Sequence, residues 1–336
     1  MTTPDVARDV VGSRYRLVPQ MRVYDGNEPY LRPYVTFTAR PGWRTDVLNT
    51  DGEGFRLSAS PTGSIDAAGW LDGGGGGLVL GGSWTFGVGA TCDAATLPSR
   101  LAFLSGTPQL NLGICTGNTL QFLIATLPFL EAATTIVVCN GLATVLVSLQ
   151  SLGLNEVFEP IRFESLLAGL GAAPIARVVE QALSGPAAGA PGLRVPRTRP
   201  VVAGAGPGEL EALVEATLQR QVRDLRLLCR ARRPDARVLF CHQPICDPAG
   251  RELSPEEREL FELGAARRMV GGGLREHVRE RWASYGSRIA AECAALSVRF
   301  LDLPAARFTG WSFIDEFHMT DHGYRQAADL VWEALR

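Results

Sequence analysis

Five strand-length apolar runs, each set off by stretches with helical spacing, constrain this 336-residue chain more than any other feature. They are "GLVLG" (77–81), "QLNLG" (109–113), "TTIVVCN" (134–140), "ARVLFCH" (236–242) and "SVRFLDL" (297–303). Between them lie "TLPSRLAFL", "TLQFLIATLPFL" and "ELEALVEATLQRQVRDLRLLCR", whose apolar residues recur every three or four positions. Uninterrupted apolar strands suit a parallel sheet covered on both faces, and parallel neighbours require helical crossovers. The pattern therefore predicts a doubly wound α/β domain around a five-stranded parallel sheet. It begins near residue 73. Residues 1–72 are polar and turn-rich, and "YVTFTARPGW" and "NTDGEGFRLS" read as short strands around Gly and Asp turns. They are expected to form a small strand-rich N-terminal extension packed on a main domain of 73–336. An insertion at 184–209, "SGPAAGAPGLRVPRTRPVVAGAGPGE", has no periodicity, and its composition favours disorder over a lid.

Several function classes are excluded before any motif is read. The net charge is −2, so the basic surface needed to neutralise nucleic-acid phosphates is not expected. All 33 basic residues are arginines, which removes Schiff-base and pyridoxal chemistry, and no cofactor is expected. The glycine-rich stretch "GGSWTFGVG" is not a phosphate loop either, because Val88 stands where the loop lysine would be. Between Arg100 and Glu156 the sole charge is Glu131, but Pro108, Pro128, Asn111, Asn118 and Asn140 break the run, so no membrane span is expected. The N-terminus lacks the apolar core of a signal peptide. The seven cysteines form no CxxC pair, so reduced thiols and a cytoplasmic location are expected, with no metal site.

Ser83 follows "LVLGG" directly, at the carboxyl end of a strand, where ligands collect in α/β sheets. A strand, glycines and a serine also make an ordinary turn, so the serine needs a base to be more than that. The chain has four histidines. His277 lies in the amphipathic stretch "GLREHVRERW", where a surface or structural duty fits. His242, in "CHQPIC" at a strand end, faces a site or is a satisfied buried histidine. His318 stands three residues after Asp315 in "FIDEFHMTDHGYRQAADLVWEAL", a spacing that lets both side chains face one site, the carboxylate fixing the imidazole tautomer. His318 and His322 in "HMTDH" loosely match a zinc pattern, but that needs both on one helix and a third ligand, and the helix starts too late.

These residues carry a resemblance. "LVLGGSWTFGVGATCDAATLPSRLAFL" resembles the first block, GDSxTxG, of the SGNH (GDSL-type) hydrolases, and "FIDEFHMTDHGYRQAADLV" is similar to their final DxxH block. "PQLNLGICTGNTLQ" and "IVVCNGLATVL" look like the second and third blocks, and "NTDGEGFR" (49–56) is similar to an extension in some members; the match spans 78–335. The resemblance implies a flavodoxin-like three-layer sandwich, with Ser83 as nucleophile, His318 as general base and Asp315 as its orienter. It also implies an oxyanion hole from the backbone of Ser83 and of Thr116 or Gly117, at the second-block glycine. Departures are plain. The Asp of GDS is Gly82, and the third block reads Gly141, Leu142, Ala143 and Thr144 instead of GxND, so the oxyanion asparagine is missing and Asn140 or Asn118 is open as its replacement. The expectation is a serine-dependent ester or thioester hydrolase or acyltransferase acting on a small-molecule acyl ester. The alternative is a catalytically impaired SGNH-fold binding protein, which the degenerate blocks would suit.

Overall fold

The computed structural model describes residues 12–27, 30–32, 36–140, 142–150, 207–248, 250–267 and 272–336. The nine strands among them are β1 (Tyr30–Arg32), β2 (Thr36–Thr38), β3 (Ser58–Ser60), β4 (Gly63–Ile65), β5 (Gly76–Gly81), β6 (Gln109–Gly113), β7 (Ala133–Asn140), β8 (Arg237–His242) and β9 (Arg299–Asp302). The last five form one parallel sheet in the order β6-β5-β7-β8-β9. Counted along the chain, that is the 2-1-3-4-5 order of flavodoxin-like folds. The first four form two antiparallel hairpins, β1 with β2 and β3 with β4.

The helices used below are α1 (Met21–Asp25), α2 (Ala67–Asp72), α3 (Ser83–Phe86), α4 (Leu97–Ser105), α5 (Thr119–Thr126), α6 (Leu142–Gln150), α7 (Pro207–Ala231), α8 (Pro255–Arg267), α9 (Gly272–Ala295) and α10 (Asp321–Leu335). Alternation along each strand sorts them into layers. Leu78, Leu80, Ile136, Val138, Val238 and Phe240 point to one face, with Phe122 of α5, Leu149 of α6, Leu225 of α7 and Ile289 of α9. Val79, Val137, Cys139, Leu239 and Cys241 point to the other, with Leu101 of α4 and Tyr324 and Val331 of α10. Both faces are covered, which is why the strands read as uninterrupted apolar runs. Among the described residues no helix is long and apolar enough to cross a membrane.

Residues before the sheet enter its core. Phe55, Ile65 and Trp70 belong to the first apolar cluster, and Trp70 meets Phe129 edge to face. Of the insertion expected at 184–209, residues 184–206 lie outside the described residues, and α7 begins at Pro207, inside the expected boundary. Proline suits a helix start, since the first turn needs no donor from it.

Candidate active site

β5 ends at Gly81, and Ser83 opens α3 two residues later. Gly81 has φ +154°, and a Cβ there would lie 2.1 Å from the Cys139 carbonyl oxygen and 2.3 Å from Thr85 Oγ1. Only glycine lets β5 turn into the serine against β7. Gly82 is different: a Cβ there would meet nothing nearer than the Ile114 carbonyl oxygen at 4.0 Å, so the absent GDS carboxylate is not a steric necessity.

The loop before α10 brings the histidine over this turn. Ser83 Oγ lies 2.7 Å from His318 Nε2, and His318 Nδ1 lies 2.8 Å from Asp315 Oδ2. With Nδ1–H donating to the carboxylate, Nε2 is left to accept the Ser83 proton. Asp315 Oδ1 also accepts the N–H groups of Phe317 (3.0 Å) and His318 (2.8 Å). Burial alone would raise the Asp315 carboxyl; the facing imidazole and these hydrogen bonds outweigh it and hold the group well below the ordinary carboxylate range. Ile314 N–H donates to the His318 carbonyl oxygen (2.9 Å), and a bridge pairs Phe313 with Met319, so Asp315 and His318 share one closed hairpin. Gly89 (φ +102°) lets the two loops meet, since a Cβ there would sit 2.3 Å from the Met319 carbonyl oxygen.

The residues expected around an oxyanion divide. Among the described residues the N–H groups of Ser83 and Thr116 have no protein acceptor, whereas Gly117 N–H donates to the Ile114 carbonyl oxygen at 3.0 Å. Gly117 is therefore part of the turn rather than a free donor, and Thr116 stands at its head with φ +63°. Asn140 ends β7, and its Oδ1 accepts from Thr144 Oγ1 (2.9 Å), which also reaches the Gly117 carbonyl oxygen (3.4 Å). That places Asn140 beside the second-block turn. Asn118 caps α5 in a reciprocal box with Gln121, a structural duty for its side-chain oxygen. Gly141 lies outside the described residues; Leu142 and Ala143 open α6.

The other histidines are elsewhere. His242 is buried, stacked on Trp282 at 4.2 Å, with Nε2 3.1 Å from the Trp282 carbonyl oxygen, so it is a satisfied core residue. His277 lies half-buried on α9, 3.9 Å from Glu211. His322 sits in α10 and meets the Thr309 carbonyl oxygen at 3.0 Å, whereas His318 lies in the loop with both ring nitrogens engaged, so the two do not form a helical ligand pair. Among the described residues no three His, Cys, Asp or Glu side chains cluster as metal ligands.

Residues that sequence reading missed hold the Ser83 loop from behind. Arg56 is fully buried, and its guanidinium donates to the carbonyl oxygens of Phe86 (3.2 Å), Gly87 (2.9 Å) and Val47 (2.8 Å) and to Asp93 (2.8 Å). Arg56 also donates to the Tyr24 hydroxyl (2.7 Å), which shares its proton between the carbonyl oxygens of Gly87 (2.8 Å) and Ala90 (2.7 Å). Burial pushes the Tyr24 phenol up to about 12, so it stays a donor. Gln20 Nε2 takes the Gly89 carbonyl oxygen and the Tyr324 hydroxyl that of Val88. A cleft of about 920 Å³ is lined by residues 244, 245, 247 and 250–255 on one side and 303–310 and Phe313 on the other, and neither Ser83, Asp315 nor His318 lines it.

No protein-family model and no curated protein matches the chain. Solved structures similar in chain path include phospholipase A1 from Streptomyces albidoflavus, at 14% identity and TM-score 0.41 over 77% of this chain and 97% of that one. Others are a carbohydrate acetylesterase family member from Sinorhizobium meliloti (15%, TM-score 0.43, 78% and 97%) and an extracellular lipase from Streptomyces rimosus (14%, TM-score 0.40, 77% and 99%). At such low similarity, what the site can do rests on its own geometry.

Proposed function

We propose that the protein is an SGNH-type serine enzyme that forms an acyl-enzyme at Ser83 from a small-molecule ester or thioester and passes the acyl group to water or another nucleophile. The observation that carries this reading is the continuous hydrogen-bonded line from Ser83 Oγ through His318 to Asp315. Ser83 Oγ attacks the acyl carbon as its proton passes to His318 Nε2, and the ionised Asp315 stabilises the imidazolium. The carbonyl π electrons move onto oxygen, within reach of the N–H groups of Ser83 and Thr116, with Asn140 as the third donor in place of the missing block-three asparagine. Collapse of the tetrahedral adduct breaks the bond to the leaving alkoxide or thiolate, which takes the proton back from Nε2. In the second half water or an acceptor hydroxyl gives its proton to Nε2 and attacks the acyl carbon; collapse of this second adduct breaks the bond to Ser83 Oγ, which takes the proton back from Nε2.

The test is covalent labelling. A fluorophosphonate should add one probe to Ser83, seen by intact-mass and peptide mass spectrometry, and Ser83→Ala should abolish the adduct. Incubation with a panel of acyl esters and thioesters should leave a mass increment equal to one acyl group on the same serine. A parent protein that resists both would favour a binding protein on this fold.

A further inference from the structure

We propose that Glu257 is a positioning residue for the acyl-transfer site, holding the Asp315–His318 hairpin in register with Ser83; this rests on the reading of those three residues as a triad. Glu257 lies far from them in sequence, in "SPEE" (254–257) at the start of α8. Locally it completes a capping box. Glu257 N–H donates to Ser254 Oγ (3.2 Å), and Glu257 Oε2 accepts from Ser254 N–H (3.0 Å). A carboxylate with that duty alone sits at the surface. This one is fully buried, because its other oxygen is used elsewhere.

Oε1 accepts two consecutive backbone N–H groups, those of Ser312 and Phe313, both at 2.9 Å. Arg251 supplies the countercharge: its Nη2 donates to Glu257 Oε2 at 2.9 Å and to the Gly310 carbonyl oxygen at 3.2 Å. One acidic side chain and its arginine thus fix residues 310, 312 and 313, where the chain enters the hairpin. The hairpin is a closed unit, tied by Ile314 N–H to the His318 carbonyl oxygen, so a displacement at Phe313 is carried to Asp315 and His318 together. Ser83 stands on a different loop and would not follow. The tip is held by residues that Glu257 does not touch, by Cys246 N–H on the Glu316 carbonyl oxygen (2.8 Å) and by Gln243 Nε2 on that of Phe317 (3.1 Å). Loosening the entry alone would therefore tilt the hairpin rather than release it. A tilt lengthens the Ser83–His318 contact without disturbing the His318–Asp315 pair.

The chemistry of replacement is specific. Glu257→Gln sets an NH2 group against two donors whichever way the amide turns. Toward the loop it faces the N–H groups of Ser312 and Phe313, and toward the cap it faces Ser254 N–H and displaces the Arg251 guanidinium that also holds Gly310, so the entry loosens in both cases. We expect Glu257→Gln to remain folded by circular dichroism and to react with a fluorophosphonate at Ser83 about 10- to 100-fold more slowly, the effect of a displacement near 1 Å. On an ester substrate kcat should fall by a similar factor with KM changed less than about twofold. The downfield proton resonance of His318 Nδ1–H should persist, because the His–Asp pair moves as a unit. Ser254→Ala is the control: it removes the cap oxygen but leaves the Ser254 N–H, Glu257 and its loop contacts, so it should lower the melting temperature without slowing labelling. If Glu257→Gln does not fold, Arg251→Met takes its place, removing the tie to Gly310 and the countercharge, with a several-fold slowing expected. A parent that reacts while the folded Glu257→Gln, or in its place Arg251→Met, reacts equally fast overturns the positioning role alone. A parent that resists the probe overturns the triad reading and this inference with it.

Discussion

At Thr116, the third residue of the Ile114–Gly117 turn, the backbone is left-handed, with φ +63°, a conformation strained for a β-branched side chain. The strain is worth about 1–2 kcal/mol, and it occurs where the SGNH resemblance expects glycine. Thr116→Gly keeps the backbone N–H and should raise stability by about 1 kcal/mol in urea unfolding, net of the added chain entropy, with esterase activity within about twofold of the parent. A large loss of activity would mean that the side chain, not the N–H, serves the site. Asn140 gives the converse test: as an oxyanion donor, its replacement by Ala should cost about 10² to 10³ in kcat in a protein that stays folded at the assay temperature, with the melting temperature lowered by loss of the Thr144 contact. Asp315→Asn should cost about 10⁴, because the amide cannot hold the imidazole in the tautomer that leaves Nε2 free. The depressed Asp315 carboxyl also contributes to stability. That contribution is complete above the ordinary carboxyl pKa and is lost as pH falls through it toward the depressed native value, a loss that Asp315→Asn should not show.

β8 carries a second pH-dependent element, in the core rather than at the site. Burial lowers the His242 imidazole from 6.5 to about 4, against a small opposing effect from the Trp282 carbonyl. A native value below the unfolded one means the unfolded chain binds the proton first. Stability is therefore full above about 6.5 and declines as pH falls toward 4, by about 3 kcal/mol for this group. Urea midpoints measured between those limits should show the decline in the parent and a flatter profile in His242→Phe, which keeps the stack on Trp282. Its place in "CHQPIC" left two readings open, because a histidine at a strand end looks the same whether it faces a ligand or an aromatic layer. Strands were legible for a simpler reason, since burial on both faces makes each one a bounded apolar run. The reading "GLVLG" differs from β5 only by Gly76, whereas "SVRFLDL" overran β9 at both ends. Ser297 there takes a left-handed turn (φ +56°), and Leu303 begins a 3-10 turn. Neither boundary leaves a mark in the apolar pattern.

Over the whole molecule, composition divides the chain near residue 73, but the contacts run across that line. The Ser–His–Asp spacing was readable because each member sits in a short local motif. Arg56 was not, because its partners come from residues 24, 47, 86, 87 and 93, and no local pattern marks an arginine that will cap carbonyls supplied by distant segments. Removing its side chain leaves Asp93 without its cation and the carbonyl oxygens of Phe86 and Val47 without this donor, while that of Gly87 keeps the Tyr24 hydroxyl, so Arg56→Met should cost about 3–5 kcal/mol. A larger cut tests whether residues 1–72 are a dispensable extension. A chain of 73–336 would lose Gln20, Tyr24 and Arg56 from behind the Ser83 loop, and Phe55, Ile65 and Trp70 from the core. Burying the last three stabilises by about 1.5–3 kcal/mol each, so their joint loss is comparable with the about 5–15 kcal/mol that holds a typical domain together. The truncated chain should lack a near-ultraviolet circular dichroism signal, bind a hydrophobic dye and fail to react with fluorophosphonate. A cooperatively unfolding, probe-reactive 73–336 fragment would show instead that the sheet positions Ser83 unaided, and that the Arg56 cluster only fastens an independent segment to a finished site.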